Sequence, residues 1–342
     1  MEDGSAEFAE FHHELRSVAA DVLARDRTVD WATLVDAGWV GLEVPDEFGG
    51  SAATFAEVAV ICEELGRATG STRYLGSAVL PVGMLNTLQA SDIRDGLLAD
   101  IASGAIRVAV AIGSFTLSAD RRLTGRAGFV PDADGADRLL ALATDPAGTA
   151  VIVDVAGLVI TPQPVLDETR RVATVTADGV VVPESAVLRF AGDAGTGVRR
   201  LLDRASVAVA CDSLGLADAM LAATVSYAQV RHQFGRPIGS FQAVKHACAD
   251  MLVKISVARA LVRSAVEAVA GNQPDADVAA AMAKAYACGV AVDVVGKAMQ
   301  LHGGIGYTWE GGIHVYLKRA AFNRSLFGSP AAHRKHLARR YQ

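Results

Sequence analysis

The residues with the clearest chemical potential lie in the stretch Tyr227–Met251, which reads YAQVRHQFGRPIGSFQAVKHACADM. Arg231 ends a predicted helix, and Phe234-Gly235 breaks it before Pro237, which cannot lie in a helix interior. A guanidinium at that place can bind phosphate oxygens, because its donors form a fixed fork. The same arginine can instead balance the negative end of the helix dipole. The turn alone leaves both interpretations open.

A second stretch, Ala298–Thr308, reads AMQLHGGIGYT and places paired glycines after a predicted helix end. Gly303 and Gly304 are typical of a left-handed helix C-cap. Glycines also allow the backbone to approach a ligand closely, because no side chain intervenes. Each turn by itself is weak evidence, but the two occur in this order and about seventy residues apart.

Together the two stretches resemble the acyl-CoA dehydrogenase family. In that family an RxxFGxPI…FQ turn and a QxxGG turn bind FAD, one from each of two neighbouring subunits. The resemblance therefore implies FAD shared across a subunit interface. It assigns the diphosphate and adenine contacts to Arg231, Gln233, Phe234, Gln242, Gln300, Gly303 and Gly304.

The resemblance also implies a reaction, the α,β-dehydrogenation of an acyl-CoA thioester. A carboxylate removes the α-proton, and the flavin accepts the β-hydride. The two positions at which the family carries this glutamate correspond here to Phe327, in the triplet before the last helix, and to Ala205, on the first bundle helix. Neither residue can take a proton, so no catalytic base is assigned.

Asp212 is the candidate for a displaced base. It lies seven residues after Ala205 in the apolar run AVACDSLGL, on the same helix face and about 10 Å along the axis. A carboxylate in apolar surroundings can have a raised pKa and take part in catalysis. It can equally be hydrogen-bonded to a neighbouring helix or subunit. Ser206 stands where some family members carry an arginine next to the base.

The segment 111–126 departs most from the family pattern. Family members that hold the flavin ring here carry a TEPxAGSD-like turn followed by a strand with tryptophan, whereas this chain reads AIGSFTLSADRRLTG. Ser114, Ser118 and Asp120 are present, but the glutamate, the proline and the Gly-Ser-Asp turn are not. The resemblance thus implies that the diphosphate half of the flavin site is kept, while the ring half and the base are lost.

Three segments must position these residues, and they predict an α+β multi-domain fold. Residues 1–105 form an N-terminal α-helical domain, whose GWVGLEVPDEFGG and EELGR passages resemble the family. Residues 106–192 contain short β-branched runs separated by Gly, Asp and Pro, which predict a central antiparallel β domain, a small sandwich or barrel. Residues 193–342 contain long Ala/Val/Leu helices, near 196–231, 240–270, 276–301 and after Ser329, which predict a C-terminal four-helix bundle.

Composition narrows the possible function classes. With 342 residues, 51% hydrophobic and 20% charged, the chain is long and apolar enough to form a globular protein with sizeable cores. A net charge of −6 argues against nucleic acid as a partner. Because the histidines show no metal-ligand spacing, no metal site is predicted. No uncharged run of eighteen apolar residues occurs, so no membrane span is predicted.

Two features predict a cytoplasmic location. The start of the chain is acidic, with Glu2, Asp3 and Glu7, and lacks the charged start and apolar core of a signal peptide. The four cysteines are scattered without a CxxC pair and are expected to be reduced, buried thiols. They are Cys62, Cys211, Cys248 and Cys288.

The leading interpretation is a subunit of an FAD-dependent acyl-CoA dehydrogenase that completes a partner's FAD site and lacks its own base. Within the family, α2β2 enzymes that act on steroid or other bulky acyl-CoAs are built in this way, and this chain resembles their shorter, degenerate subunit. One alternative is a self-sufficient homo-oligomeric dehydrogenase with Asp212 as a displaced base. Another is a flavin-free scaffold of the same fold.

Overall fold

The computed structural model of the protein describes the backbone of residues 2–339 and the side chains of residues 10–339. The acidic residues Glu2, Asp3 and Glu7 therefore lie outside the described side chains. The chain forms two compact units. One contains the described parts of Met1–Thr28, Ala59–Ser71 and Ser206–Gln342, and the other contains Val29–Val58 and Thr72–Ala205. The predicted boundaries after residues 105 and 192 stay a prediction.

The helices occupy both ends of the sequence, as the apolar periodicity predicts. In chain order they are α1 (Glu2–Arg25), α2 (Trp31–Asp36), α3 (Phe55–Ala68), α4 (Leu80–Leu85), α5 (Asp92–Ala102), α6 (Ala194–Val230), α7 (Gln242–Ala270), α8 (Ala276–His302), α9 (Ile313–Ser325) and α10 (Pro330–Arg339). A π-helical turn, Leu75–Val79, leads directly into α4.

The central strands form one seven-stranded sheet. They are β1 (Val108–Leu117), β2 (Arg122–Pro131), β3 (Arg138–Thr144), β4 (Ala150–Asp154), β5 (Val159–Pro162), β6 (Val172–Val181) and β7 (Val187–Leu188). Their order across the sheet is β5-β6-β2-β1-β3-β4-β7. The strands predicted from runs of β-branched residues are confirmed. Alternate residues of β1 and β3 lie buried on one face of the sheet: Ala109, Ala111, Leu139 and Ala141.

The prediction of a wholly antiparallel sheet is wrong at one pairing, because β1 and β3 run parallel. β2 returns antiparallel to β1 and ends beside the start of β1. Only residues 132–137 connect β2 to β3. Such a short connection can reach only the end of the sheet at which β2 stops. There Arg138, the first residue of β3, pairs with Val108, the first residue of β1. β3 must then run in the direction of β1, with β2 serving as part of the crossover.

The C-terminal helices differ from the predicted four-helix bundle by one element. Helices α6, α7, α8 and α10 lie near the predicted positions, and α9 is an additional helix. Helix α8 packs against α7, α9 and α10. A helix with three packing neighbours is apolar over most of its surface, and α8 keeps a polar strip with Asp293 and Lys297 exposed. Accordingly α8 buries residues all along its length, from Ala280 to Met299.

Two of these helices are long and apolar enough to meet a looser criterion for a membrane span, one that tolerates two charged residues. They are Ala194–Val230 and the helical stretch Ala276–Tyr307. Their most apolar windows are 72% and 61% buried inside the protein. Core helices of folded proteins pass the same test, so these two helices are weak evidence for a membrane.

Candidate functional site

The first predicted turn is a small β-hairpin between α6 and α7. The strands His232–Gln233 (β8) and Arg236–Pro237 (β9) pair antiparallel. Phe234 and Gly235 between them both have positive φ, 51° and 76°. Two successive residues of that kind form the two-residue turn that matches the twist of a hairpin. The predicted helix break is confirmed, and its cause is this hairpin.

The hairpin presents its polar groups outward. Arg231 and Gln242 are exposed, and within residues 10–339 the structure gives neither side chain a hydrogen bond or an ion pair. Phe234 is 92% exposed, and the edge of its ring faces Phe241, 6.1 Å between centroids. Arg236 lies over the same Phe241 ring at 4.1 Å. An uncompensated guanidinium on a rigid turn is suited to binding an anion.

The second predicted turn begins at the C-terminus of α8. Gly303 has φ 62°, a conformation that favours glycine, and its N–H donates to the carbonyl of Gln300. A Cβ added to Gly303 or to Gly304 would meet no atom within 4 Å. Packing inside this chain therefore does not require glycine at position 304, whereas a ligand approaching the backbone would. The Gln300 side chain accepts a hydrogen bond from Lys297 Nζ at 2.7 Å.

Tyr227 and His302 bring the two turns together. Their rings stack with 4.4 Å between centroids and an interplanar angle of 22°. The Tyr227 hydroxyl also donates to the His302 carbonyl at 3.3 Å. Tyr227 belongs to the last turn of α6, and His302 ends α8. The resemblance implied that the two turns come from different subunits, but here one chain places both beside each other.

The two positions predicted to correspond to the base hold side chains that cannot accept a proton. Ala205 is fully buried on α6. Phe327 is half-buried with φ 55°, and its carbonyl accepts a hydrogen bond from His333 Nε2 at 3.0 Å. The next carbonyl, of Gly328, accepts from Lys284 Nζ at 3.0 Å. The connector that the resemblance aligns with the glutamate-bearing loop of the family is thus held by two hydrogen bonds and carries no acid.

Lys284 is fully buried on α8 and binds carbonyls rather than a carboxylate. Besides Gly328, it donates to the carbonyl of Asn323 at 2.9 Å, in the last turn of α9. Burial lowers the pKa of the Lys284 ammonium. The sequence analysis missed this residue, although a single lysine in the Ala-rich run AAAMAKAYACG was a visible irregularity.

Asp212 is part of a buried ion pair. Its Oδ1 accepts from Arg319 Nε at 3.0 Å, and its Oδ2 accepts from the other end of the same guanidinium. Asn323 Nδ2 donates to Oδ1 at 2.6 Å. Arg319 is 0% exposed and Asp212 2%. This bidentate pairing supports the hydrogen-bonded, structural interpretation over a displaced base. The spacing of Arg319 and Asn323, four residues apart on one helix, was the missed signal.

The segment expected to lack the flavin-ring turn forms β1, β2 and a tight turn between them. Ser118 Oγ donates to Asp120 Oδ1 at 2.5 Å and accepts from the Arg122 N–H at 3.0 Å. Arg122 Nε donates to Asp120 at 3.1 Å. Ser114 lies within β1. Of the three polar side chains that match the family pattern, Ser118 and Asp120 therefore close this turn.

No group of three His, Cys, Asp or Glu side chains in the described part of the chain is arranged to hold a metal ion. All four cysteines are free; Cys62, Cys211 and Cys288 are buried, and Cys248 is half-buried. Burial raises the pKa of the Cys211 and Cys288 thiols. A protonated, inaccessible thiol is a poor nucleophile, so these cysteines are packing residues.

Comparisons with known proteins agree with this geometry. Residues 4–105 match the family model of the acyl-CoA dehydrogenase N-terminal domain, and residues 196–342 match that of the C-terminal domain. The chain is 33% identical over 301 residues to the acyl-CoA dehydrogenase IpdE2 of Mycolicibacterium smegmatis, covering 88% of this chain and 84% of that relative. This chain belongs to the acyl-CoA dehydrogenase family, whose members are flavin-dependent oxidoreductases acting on acyl-CoA thioesters.

Solved structures share the whole fold. The Tcur3481–Tcur3483 steroid ACAD is similar with a TM-score of 0.85 and 27% identity, over 96% of this chain and 97% of the other. The ChsE4–ChsE5 complex from Mycobacterium tuberculosis is similar in fold, with a TM-score of 0.87 over 96% of each chain and 24% identity. The expected order of helical, β and helical segments is thereby confirmed.

Proposed function

We propose that this chain is the non-catalytic subunit of a heteromeric, FAD-dependent acyl-CoA dehydrogenase. One observation carries the proposal. The flavin-diphosphate turns are exposed and open, while Phe327 and Ala205 occupy the two base positions and Asp212 is bound by Arg319. A chain of this kind can complete a partner's flavin site but has no group of its own to remove the α-proton.

The residues of the two turns fit the diphosphate and adenine portion of FAD. The open space above Gly303 and Gly304 leaves backbone available to a ligand, and Arg231 offers an uncompensated fork of donors. The set that would hold this portion is Arg231, Gln233, Phe234, Gln242, Gln300, Gly303 and Gly304. At the β1–β2 turn, the Gly-Ser-Asp turn that holds the flavin ring in the family is absent, and Ser118 and Asp120 bind each other.

In the assembled enzyme, bound flavin would serve as the hydride acceptor. This chain's part is to bind and orient the cofactor from its diphosphate end, because Arg231 is charged and Gly304 permits close approach. The proton-accepting carboxylate must come from the partner, a catalytic acyl-CoA dehydrogenase subunit. We infer an α2β2 assembly with FAD shared across the interface; the two-part name of the similar Tcur3481–Tcur3483 structure supports a pairing of two different chains.

Exposed apolar side chains on this unit indicate a surface to which a partner chain could bind. On α7, Leu252 and Val253 are 55% and 64% exposed. In the segment after the second turn, Tyr307 and Trp309 are 70% and 74% exposed. Phe234, in the first turn, is 92% exposed. Large apolar side chains exposed in this way favour a protein interface on this unit.

For the substrate, we propose a bulky, steroid-derived acyl-CoA, because a similar structure at 27% identity is named a steroid ACAD. We place the enzyme in the cytoplasm, because free, mostly buried thiols suit a reducing compartment.

Co-expression with the product of an adjacent dehydrogenase gene tests the proposal. The chain alone should purify colourless, and the co-purified complex should be yellow, with its FAD counted per complex. A yellow chain that oxidises acyl-CoA by itself would establish the homo-oligomeric alternative. Absence of flavin under both conditions would establish the scaffold alternative.

A further inference from the structure

His302, the last residue of α8, has a ring whose orientation is fixed by two contacts. The ring stacks on Tyr227 with 4.4 Å between centroids, and its Nδ1 lies 2.7 Å from the carbonyl oxygen of Ala298. A carbonyl oxygen can only accept, so Nδ1 carries the hydrogen of this bond. The tautomer of the neutral ring is thereby determined, and Nε2 is the nitrogen that gains or loses a proton.

The second ring nitrogen of His302 is available to a ligand. The ring is half-buried, and within residues 10–339 its Nε2 has no hydrogen-bond partner and is not itself buried. Contacts lead from Arg231, one helical turn after Tyr227, through the stacked pair to Gly303. A cofactor that binds both the guanidinium and the glycine backbone therefore comes close to this ring.

The end of α8 favours the charged form of the ring. Its last carbonyls form the negative end of the helix dipole, which attracts a protonated histidine and repels an anion. A diphosphate at this place consequently needs positive charge close by. The imidazolium provides it, because its Nδ1 donates to Ala298 while its Nε2 can donate to a phosphate oxygen. The neutral ring would instead present the lone pair of Nε2 to the phosphate.

The neighbouring groups leave the charge of His302 without a carboxylate partner. In the described part of the chain, no carboxylate pairs with the ring. The titratable groups on the adjoining ends of α6, α7 and α8 and on the segment after the second turn are mostly cations: Tyr227, Arg231, Lys245, His246, Lys297, Glu310 and His314. A bound anion is therefore the group that would hold the ring in its charged form.

We propose that His302 is a cofactor-binding residue whose protonated ring donates Nε2–H to the FAD diphosphate, so that FAD affinity falls as the pH rises. The inference rests on the proposed function, since it takes the two turns as the diphosphate site. Histidine changes its charge between about pH 5 and pH 8, where the diphosphate of FAD does not titrate. FAD that binds the imidazolium must then take up a proton from solution. By linkage, one such proton changes the affinity by at most about tenfold per pH unit.

The test is the number of protons taken up when FAD binds to the flavin-free, co-purified complex. Titration calorimetry at about pH 7.5, in two buffers of different ionisation enthalpy such as phosphate and Tris, gives this number. His302→Gln keeps a donor but cannot be protonated, and His302→Phe keeps a ring to stack on Tyr227 but has no donor. The matched control is His13→Gln, which removes an exposed histidine on α1.

We expect the wild-type complex and the control to take up a proton with FAD and to lose up to about tenfold in affinity between pH 7 and pH 8. Both His302 variants should take up none and bind FAD with an affinity that does not change with pH, weakest in His302→Phe. Equal proton uptake by wild type and His302→Gln, or none by the wild type, overturns the inference. If the complex unfolds without flavin, the rate of flavin loss during gel filtration at pH 6 and pH 8 decides by the same comparison.

The outcomes also separate this inference from the proposed function. FAD bound with an affinity that depends on Arg231 but not on His302 overturns the inference and leaves the proposed function standing. A wild-type complex that binds no FAD refutes both.

Discussion

Tyr227 stacks on His302, with 4.4 Å between the ring centroids, and so joins the C-termini of α6 and α8. The pair makes one surface out of two turns that are about seventy residues apart in sequence. Arg231 follows Tyr227 by one helical turn, and Gly303 directly follows His302. A ligand held by the guanidinium therefore has a fixed position relative to the open glycine backbone, which favours a single extended ligand over two separate ones.

Arg231→Ala should lower the flavin content of the assembled complex. A charge-assisted contact to a phosphate contributes about 1.5–3 kcal/mol, which corresponds to roughly a tenfold to hundredfold loss of affinity. Arg263→Ala is a matched control, since Arg263 is an exposed arginine on α7 that pairs with Glu267. Flavin retention after dilution and gel filtration is the measurement. Equal retention in both variants would remove Arg231 from the site.

Gly304→Ala should weaken flavin binding without destabilising the protein. The added methyl group meets no atom of this chain within 4 Å, and the φ of Gly304 is not in the left-handed region. Any loss of flavin therefore reports the ligand's approach to the backbone. Gly192→Ala, also in open space, is the control. Urea unfolding of the chain should be unchanged, and wild-type flavin affinity in the variant would contradict the assignment.

Asp212→Asn should destabilise the protein by about 3–5 kcal/mol, because it leaves the buried Arg319 guanidinium uncompensated. Urea unfolding gives this difference, and Asp212→Asn with Arg319→Met should recover part of it. If the complex containing Asp212→Asn folds, its turnover number should equal that of the wild-type complex. A folded Asp212→Asn complex with turnover reduced by orders of magnitude would instead identify Asp212 as the base.

Phe327→Glu should not give activity to the isolated chain. The connector around residue 327 is in place, but Ser118 and Asp120 close the turn where the flavin ring would need contacts. A carboxylate without a positioned hydride acceptor has no reaction to catalyse. The chain is supplied with FAD and a panel of acyl-CoAs, and flavin bleaching is followed. Substrate-dependent bleaching would favour the homo-oligomeric enzyme.

Asp132 should make stability depend on pH. It is 3% exposed and accepts the Gly76 N–H at 2.8 Å, and burial raises its pKa from 3.8 to about 6. A raised carboxyl pKa contributes stability that is complete below pH 3.8 and is lost as the pH rises through about 6. Asp132→Asn stays neutral throughout. Relative to wild type, its unfolding free energy should rise by up to about 3 kcal/mol between pH 4 and pH 7. A pH-independent difference would contradict the assignment.

The sequence predicted the order of segments because helix and strand periods are local properties. It also located both turns, because glycine and proline determine the backbone conformation at their own positions. It missed the parallel pairing of β1 with β3, which depends on where a short connection can reach. It missed Arg319, Asn323 and Lys284 as partners. Their spacing and surroundings in the sequence mark them as unusual, but which residue each one contacts depends on how the helices pack.

Helix α9 was absent from the predicted bundle, yet Arg319 and the Asn323 carbonyl bind it to Asp212 and Lys284. Detaching α9 would take Arg319 away and leave the Asp212 carboxylate and the Lys284 ammonium buried without their α9 partners. Partial opening is therefore far costlier than the two buried apolar residues of α9, Ile313 and Ala320, suggest. We expect α9 to unfold cooperatively with α6 and α8, so that its amide hydrogens exchange with solvent only when the whole bundle opens.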